Sequence, residues 1–188
     1  MCARFYSELN SKSRLTTPGV DGMLRSVPAV VSYEGADDAL LSPDLVRDRA
    51  DAMLEALGLE ARELSILLCD DARIQVLNRE YRQRDRPTDV LSFSMAEGEQ
   101  VAAVESLLGD VVISLPTAAR QAAERERDTL LEVTELLAHG LLHILGFDHQ
   151  SDDEERRMRA RTDMLVAAAQ ASRGPTRAAA GPPSGDKE

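Results

Sequence analysis

The sequence predicts an α/β domain: a small, mostly parallel mixed sheet of about four strands with helices packed over it. Three observations lead there. Short aliphatic and β-branched runs alternate with segments of helical period, the pattern of strands joined by helical crossovers. The 188 residues are 43% hydrophobic with no Trp, three Phe and three Tyr, which suits one aliphatic core and leaves too little chain for two ordinary domains. One segment, residues 130–145, is apolar almost all round at helical period and therefore belongs in the middle of the domain.

Residues 1–26 mix Ser, Thr, Gly, Arg and Pro without periodicity and read as a disordered leader; residues 172–188, rich in Gly, Pro and Ala, read as a disordered tail. The domain lies between them, at 27–171. Its first strand begins at Val27 and is an edge strand, because Pro28 cannot donate to a ladder. Ser42 and Pro43 open a helix with Leu45, Met53, Leu54 and Leu57 on its apolar side, and Gly58 ends it. Residues 63–69 form a second strand that carries Cys69. Asp70 or Asp71 then caps a helix through Tyr81, with Ile74, Val76, Leu77 and Tyr81 spaced to pack on the sheet. Residues 88–93 and 107–115 are the third and fourth strands, separated by an acidic loop at 96–106, and Pro116 stops the fourth. Residues 117–127 are helical. Thr129 and Glu132 form a T-x-x-E capping box that starts the apolar helix at Leu130, and Ser151 with Glu154 forms a second box opening a last helix to about Ala171.

A net charge of −11 argues against non-specific binding of nucleic acid or anionic membrane by the whole surface, while leaving room for a local basic site. No apolar run approaches the roughly 20 residues needed to span a bilayer, and the N-terminal stretch lacks the apolar core of a signal peptide. The expected location is the cytoplasm. Cys2 and Cys69 are too few and too far apart for a disulfide framework.

All three histidines fall within eleven residues, His139-Gly-Leu-Leu-His143-Ile-Leu-Gly146-Phe-Asp148-His149. His139 and His143 lie one helical turn apart on the same face, so their imidazoles can converge on one ion. His149 needs the helix to stop, and Gly146 supplies the stop by taking the left-handed conformation without a Cβ clash. Three neutral nitrogens with one position left open describe a catalytic zinc site, and zinc is favoured over copper, nickel or iron because three imidazoles with an open position is its usual catalytic arrangement. Asp148, beside the third histidine, is placed to orient a ligand through a hydrogen bond.

H-x3-H-x2-G-x2-H is also the spacing of the metzincin metalloproteases, which carry Glu directly after the first His as general base. Here that position is Gly140, which disfavours a protease. Phosphoryl chemistry instead asks for a cation to neutralise charge on phosphorus oxygens. Arg79, Arg82, Arg84 and Arg86, set against two carboxylates in the same run, are the candidates.

The run Leu77-Asn78-Arg-Glu-Tyr81-Arg82-Gln-Arg84-Asp85-Arg86-Pro87-Thr88-Asp89-Val90-Leu91-Ser92-Phe93, followed by Leu108-Gly109-Asp110-Val-Val-Ile113 and the histidine motif, resembles the bacterial YbeY family of rRNA maturation factors. The resemblance spans residues 27–171. It implies a zinc-dependent, single-strand-specific endoribonuclease that acts on rRNA precursors, at the small-subunit rRNA 3′ end, and in ribosome quality control, with the small ribosomal subunit as partner. It implies one zinc per chain on His139, His143 and His149, a functional arginine at Arg82 and a basic position at Arg84; with Arg86 of the same arginine-rich run, Arg82 and Arg84 are the expected substrate contacts. Asp89, Ser92 and Asp110 read as scaffolding within the motifs, bonding to backbone near strand ends. Two other functions remain open at this point: a ribosome-associated assembly factor whose metal is structural, and a divergent metalloprotease.

Overall fold

The computed structural model describes residues 29–35, 41–95, 107–148 and 150–172. Among them run β1 (Ala29–Glu34), α1 (Pro43–Ala56), β2 (Glu63–Cys69), α2 (Asp71–Arg82), β3 (Val90–Ser94), β4 (Leu107–Ser114), α3 (Leu115–Glu124), α4 (Thr129–Ile144) and α5 (Asp152–Ala171). The expected leader, the acidic loop, the Ala/Pro-rich tail beyond Ser172 and His149 lie outside the described residues.

The sheet order is β1-β2-β4-β3, with β1, β2 and β4 parallel and β3 antiparallel to β4. The mixed, mostly parallel sheet of four strands is the one the sequence predicts, with β1 at an edge. The two central strands are the ones without polar alternation: six of the seven residues of β2 and all eight of β4 are buried. Helices cover both faces. Leu64, Ile66 and Leu68 of β2, with Val111 and Ile113 of β4, pack against α1, α4 and α5, whereas Leu67, Cys69 and Val112 pack against Ile74 and Leu77 of α2. A fully buried Leu or Ile contributes about 1.5–3 kcal/mol, so these two aliphatic layers supply the core that the missing aromatics do not.

Three local expectations are corrected, those for Leu45, Pro116 and the start of α4, and one, the cap of α2, is narrowed to a single residue. Leu45 is 41% exposed, and the buried face of α1 is Val46, Ala50, Met53 and Leu54. These recur at i, i+4, i+7 and i+8, which leaves residue 45 about 100° away in solvent. Pro116 does not merely end β4: it stands in the first turn of α3, where a missing N–H costs nothing, behind Ser114, whose Oγ accepts from Thr117 N at 3.3 Å. On α2 the cap is Asp70, whose Oδ1 accepts from Arg73 N at 2.7 Å. On α4 the capping box does not form. Asp128 caps that helix by accepting from Leu130 N at 2.7 Å, and Glu132 turns inward instead. The box opening α5 does form, with Ser151 and Glu154 bonding reciprocally.

Candidate functional site

Ten of the sixteen residues of α4 are buried, so the helix that carries the histidines is fixed on nearly every side. Gly140 allows it to sit close to the sheet: a Cβ there would lie 2.9 Å from Val111 Cγ1 and 3.4 Å from Val90 Cγ2. The residue after the first histidine therefore faces the sheet, and a metzincin-type glutamate has no room in that position. His139 and His143, both half-buried, turn the same nitrogen to one point, with Nε2 to Nε2 at 3.1 Å and the rings edge-on at 86°. Two nitrogens about 2.0–2.1 Å from one tetrahedral ion stand about 3.3 Å apart, so the pair fits two legs of a zinc site. The same approach suits an N–H···N bond between neutral rings. After Ile144 the chain turns as predicted: Gly146 has φ +85°, its N–H donates to His143 O at 3.0 Å, and Phe147 N–H donates to Leu142 O at 3.0 Å. His149, the third expected ligand, lies outside the described residues, and no group of three His, Cys, Asp or Glu able to hold a metal occurs among those described.

A cavity of about 680 Å³ gathers the arginines. Arg82, Arg84, Arg86 and Asp148 all line it, so the structure brings the α2–β3 connection to the segment that follows α4. Gln83 ends α2 in the left-handed region at φ 58°, and Arg84 N donates to Asn78 O at 3.2 Å. Asn78, buried within α2, then pins the loop by donating from Nδ2 to Arg86 O at 2.7 Å. Sequence reasoning passed over Asn78; its signal was an amide on the buried face of a helix, directly after Leu77. Arg82 is held by β3: Nη2 donates to Ser92 O at 2.9 Å, and the guanidinium carbon lies 5.8 Å from the Phe93 ring centre. Arg84 and Arg86 are exposed, while Arg79 pairs with Asp85 at 3.5 Å. Asp148 accepts from Gln150 Nε2 at 2.6 Å.

The family model described as Endoribonuclease YbeY matches residues 39–170. The chain belongs to the YbeY endoribonuclease family. It is 50% identical over 140 residues to an Endoribonuclease YbeY of Anaeromyxobacter sp. (strain Fw109-5), covering 71% of each chain. It is 53% identical over 107 residues to one from Syntrophotalea carbinolica, covering 56% of this chain and 71% of that one. The solution structure of TM1509 from Thermotoga maritima shares the fold at a TM-score of 0.52 and 23% identity, over 74% of this chain and 89% of that one. The chain is thus an enzyme of the endoribonuclease class, a hydrolase acting on RNA. Among the described residues no helix is long and apolar enough to cross a membrane.

Two features of this YbeY-family domain escaped the sequence. A second cavity, about 650 Å³, lies between α3, α4 and α5 with His139 in its wall, and Val90 lines both cavities. In its wall Glu132, fully buried, accepts from Arg125 Nη1 at 2.8 Å and Arg127 Nε at 2.6 Å; Arg127 also pairs with Glu135. The second feature is Asp110, expected to bond to backbone. It is 1% exposed, and neither carboxylate oxygen has a hydrogen-bond partner among the described residues. Burial pushes its pKa up to about 6; the Ser65 hydroxyl on the adjacent strand opposes this from a position short of good hydrogen-bond geometry, and Glu63 adds to it. Asp89 does behave as scaffolding, with Oδ1 accepting from Val90 N at 2.8 Å and Oδ2 from Gln121 Nε2 at 3.0 Å.

Proposed function

We propose that this chain is a zinc-dependent, single-strand-specific endoribonuclease that matures ribosomal RNA at the 3′ end of the small-subunit species and serves ribosome quality control in the cytoplasm. The observation that carries this reading is the convergence of His139 and His143, Nε2 to Nε2 at 3.1 Å, beside cavities that share Val90 and hold Arg82 on the other side. His139, His143 and the predicted third ligand His149 would hold one zinc ion. When bound, zinc supplies a Lewis acid that brings the ionisation of water near neutral pH.

The protein's own groups do the rest. Arg82 is fixed by Ser92 O and Phe93, so its orientation is set before RNA arrives, and its remaining N–H donors can take non-bridging phosphate oxygens as charge grows on them. Arg84 and Arg86, exposed in the same cavity, hold neighbouring phosphates. Asp148, beside the third ligand in the chain, would orient a ligand through a hydrogen bond. Because the molecule as a whole is strongly acidic, this basic rim is what draws a polyanion to the cleft.

The test is a pair of measurements on His143→Ala. Zinc by elemental analysis is expected to fall well below one per chain, and cleavage of a single-stranded RNA to be lost in this variant and in chelated wild type. Near-stoichiometric zinc in His143→Ala would remove the basis for the metal assignment.

A further inference from the structure

Apart from His139, the residues lining the cavity between α3, α4 and α5 have no role in the phosphate contacts above, and its charge gives the reason. Five carboxylates line it against two guanidiniums, Arg125 and Arg159, whereas the arginine cavity has three guanidiniums against Asp148 alone. A phosphate entering it would meet like charge at short range, and the net charge of −11 deepens that repulsion. Yet His139 stands in its wall, so whatever occupies it sits beside the reacting phosphate.

Three of the five carboxylates are occupied. Asp89 accepts from Gln121 at 3.0 Å, Glu132 from Arg125 and Arg127, and Glu135 is paired with Arg127. The side chains of Glu155 and Asp163, exposed on α5, have no partner among the described residues. With Arg159 they form one stripe at i, i+4 and i+8. Beneath that stripe lies an apolar floor of Met158 and Leu136, 2% and 8% exposed. An apolar surface edged by free acceptors and one planar guanidinium suits a nucleobase: the ring covers the floor, Arg159 can stack on it, and carboxylates accept from its N–H edge. Guanine presents two adjacent donors, N1–H and the N2 amino group, in the geometry of a carboxylate's two oxygens. Adenine and cytosine each present one amino group, and uracil presents only N3–H, flanked by two carbonyl oxygens that a carboxylate repels.

We infer that this cavity is a base subsite, which takes the base of a nucleotide flanking the scissile phosphate and, through Glu155 and Asp163, prefers amino-bearing bases, guanine foremost, over uracil. The inference rests on the reading that the cleft cuts RNA. Phosphates then bind on the Arg82 side of Val90 and one flanking base on the α5 side.

The experiment digests a single-stranded RNA pool with a randomised central segment, using zinc-loaded full-length protein, and reads the cut sites by sequencing. Wild type is expected to show guanine over uracil by about fivefold or more at one flanking position. The Glu155→Gln/Asp163→Asn variant, altered only at exposed helix positions, is expected to cut with that bias reduced to within about twofold. RNA cut with no base bias at any flank, or a bias that survives in the variant, overturns the subsite while leaving the nuclease standing. No cleavage of any RNA overturns the nuclease reading itself. Unbiased cutting together with binding of an arginine-rich peptide that the variant loses would assign the cavity to a protein partner and also overturn the subsite.

Discussion

Asp110 shows how one extra residue decides a side chain's environment. Leu108 has no partner in the β2–β4 ladder, in which Glu63 faces Leu107 and Leu64 faces Gly109. Leu108 and Val111, three residues apart, consequently share the α4 face, and Asp110 falls on the α2 face beside Ser65 and Phe93. Gly109, at φ +154°, is required because a Cβ there would stand 2.2 Å from Phe93 O. The raised pKa of about 6 has a defined sign. The folded state binds the proton more tightly than the unfolded chain, so stability is highest below pH 4, declines as pH rises to about 6 and is then flat. Asp110→Asn, which cannot ionise, should therefore be more stable than wild type at pH 8 by about 2–3 kcal/mol, with the gap narrowing toward pH 4. Urea denaturation at pH 8 and 4.5 checks this, and an equal gap at both would show that ionisation is not the cost. Asp110 was visible in the sequence as a motif residue. Its burial was not, because a bulge breaks the alternation from which burial is read. Gly140 is the converse case: the sequence exposed the missing glutamate, and the structure adds that Val111 fills the space a side chain would need.

At the scale of elements, α2 and α3 are joined at their N-termini. Asp71 Oδ1 accepts from Ser114 Oγ and from Thr117 Oγ1 at 2.7 Å, and Oδ2 accepts from Arg120 Nη2 at 2.9 Å. Burial alone would push the Asp71 pKa up; these hydrogen bonds and the Arg120 charge outweigh it and hold the carboxyl below its ordinary value. The stabilisation is thus fully present above the unfolded pKa near 4 and disappears as pH falls through the folded one. Asp71→Ala should lower stability by about 1–2 kcal/mol at pH 7 and by much less near pH 3, measured by thermal or urea unfolding at both. A loss independent of pH would assign the effect to packing. Helix positions were legible wherever the signal was local, as with Gly58 after α1, Gly146 after α4 and the Ser151 box on α5. The start of α4 was misread because the T-x-x-E pattern is local, whereas Arg125 and Arg127, which recruit Glu132 into the interior, belong to the connection before the helix.

The whole molecule brings two distant motifs together through β3. That strand runs antiparallel at the sheet edge, so Val90 lies against Gly140 of α4 while Ser92 and Phe93 hold Arg82 at the end of α2. The histidine pair and the arginine loop were legible because each is a compact run of chemistry-bearing residues. The acidic cavity was not, since Gln121, Glu135, Glu155 and Asp163 come from three helices, Arg125 from the connection between two of them, and no single pattern joins them. The central claim is that Arg82 works across this cleft on the phosphate that His139 and His143 face from the other side. Single-turnover cleavage of one short single-stranded RNA, with binding measured in parallel over a salt series, addresses it most directly. Arg82→Ala should slow cleavage by about 10²-fold or more while weakening binding far less, and Arg82→Lys should restore only part, keeping the charge without the planar fork. Cleavage unchanged in Arg82→Ala would contradict the account and move the phosphate contact to Arg84 or Arg86.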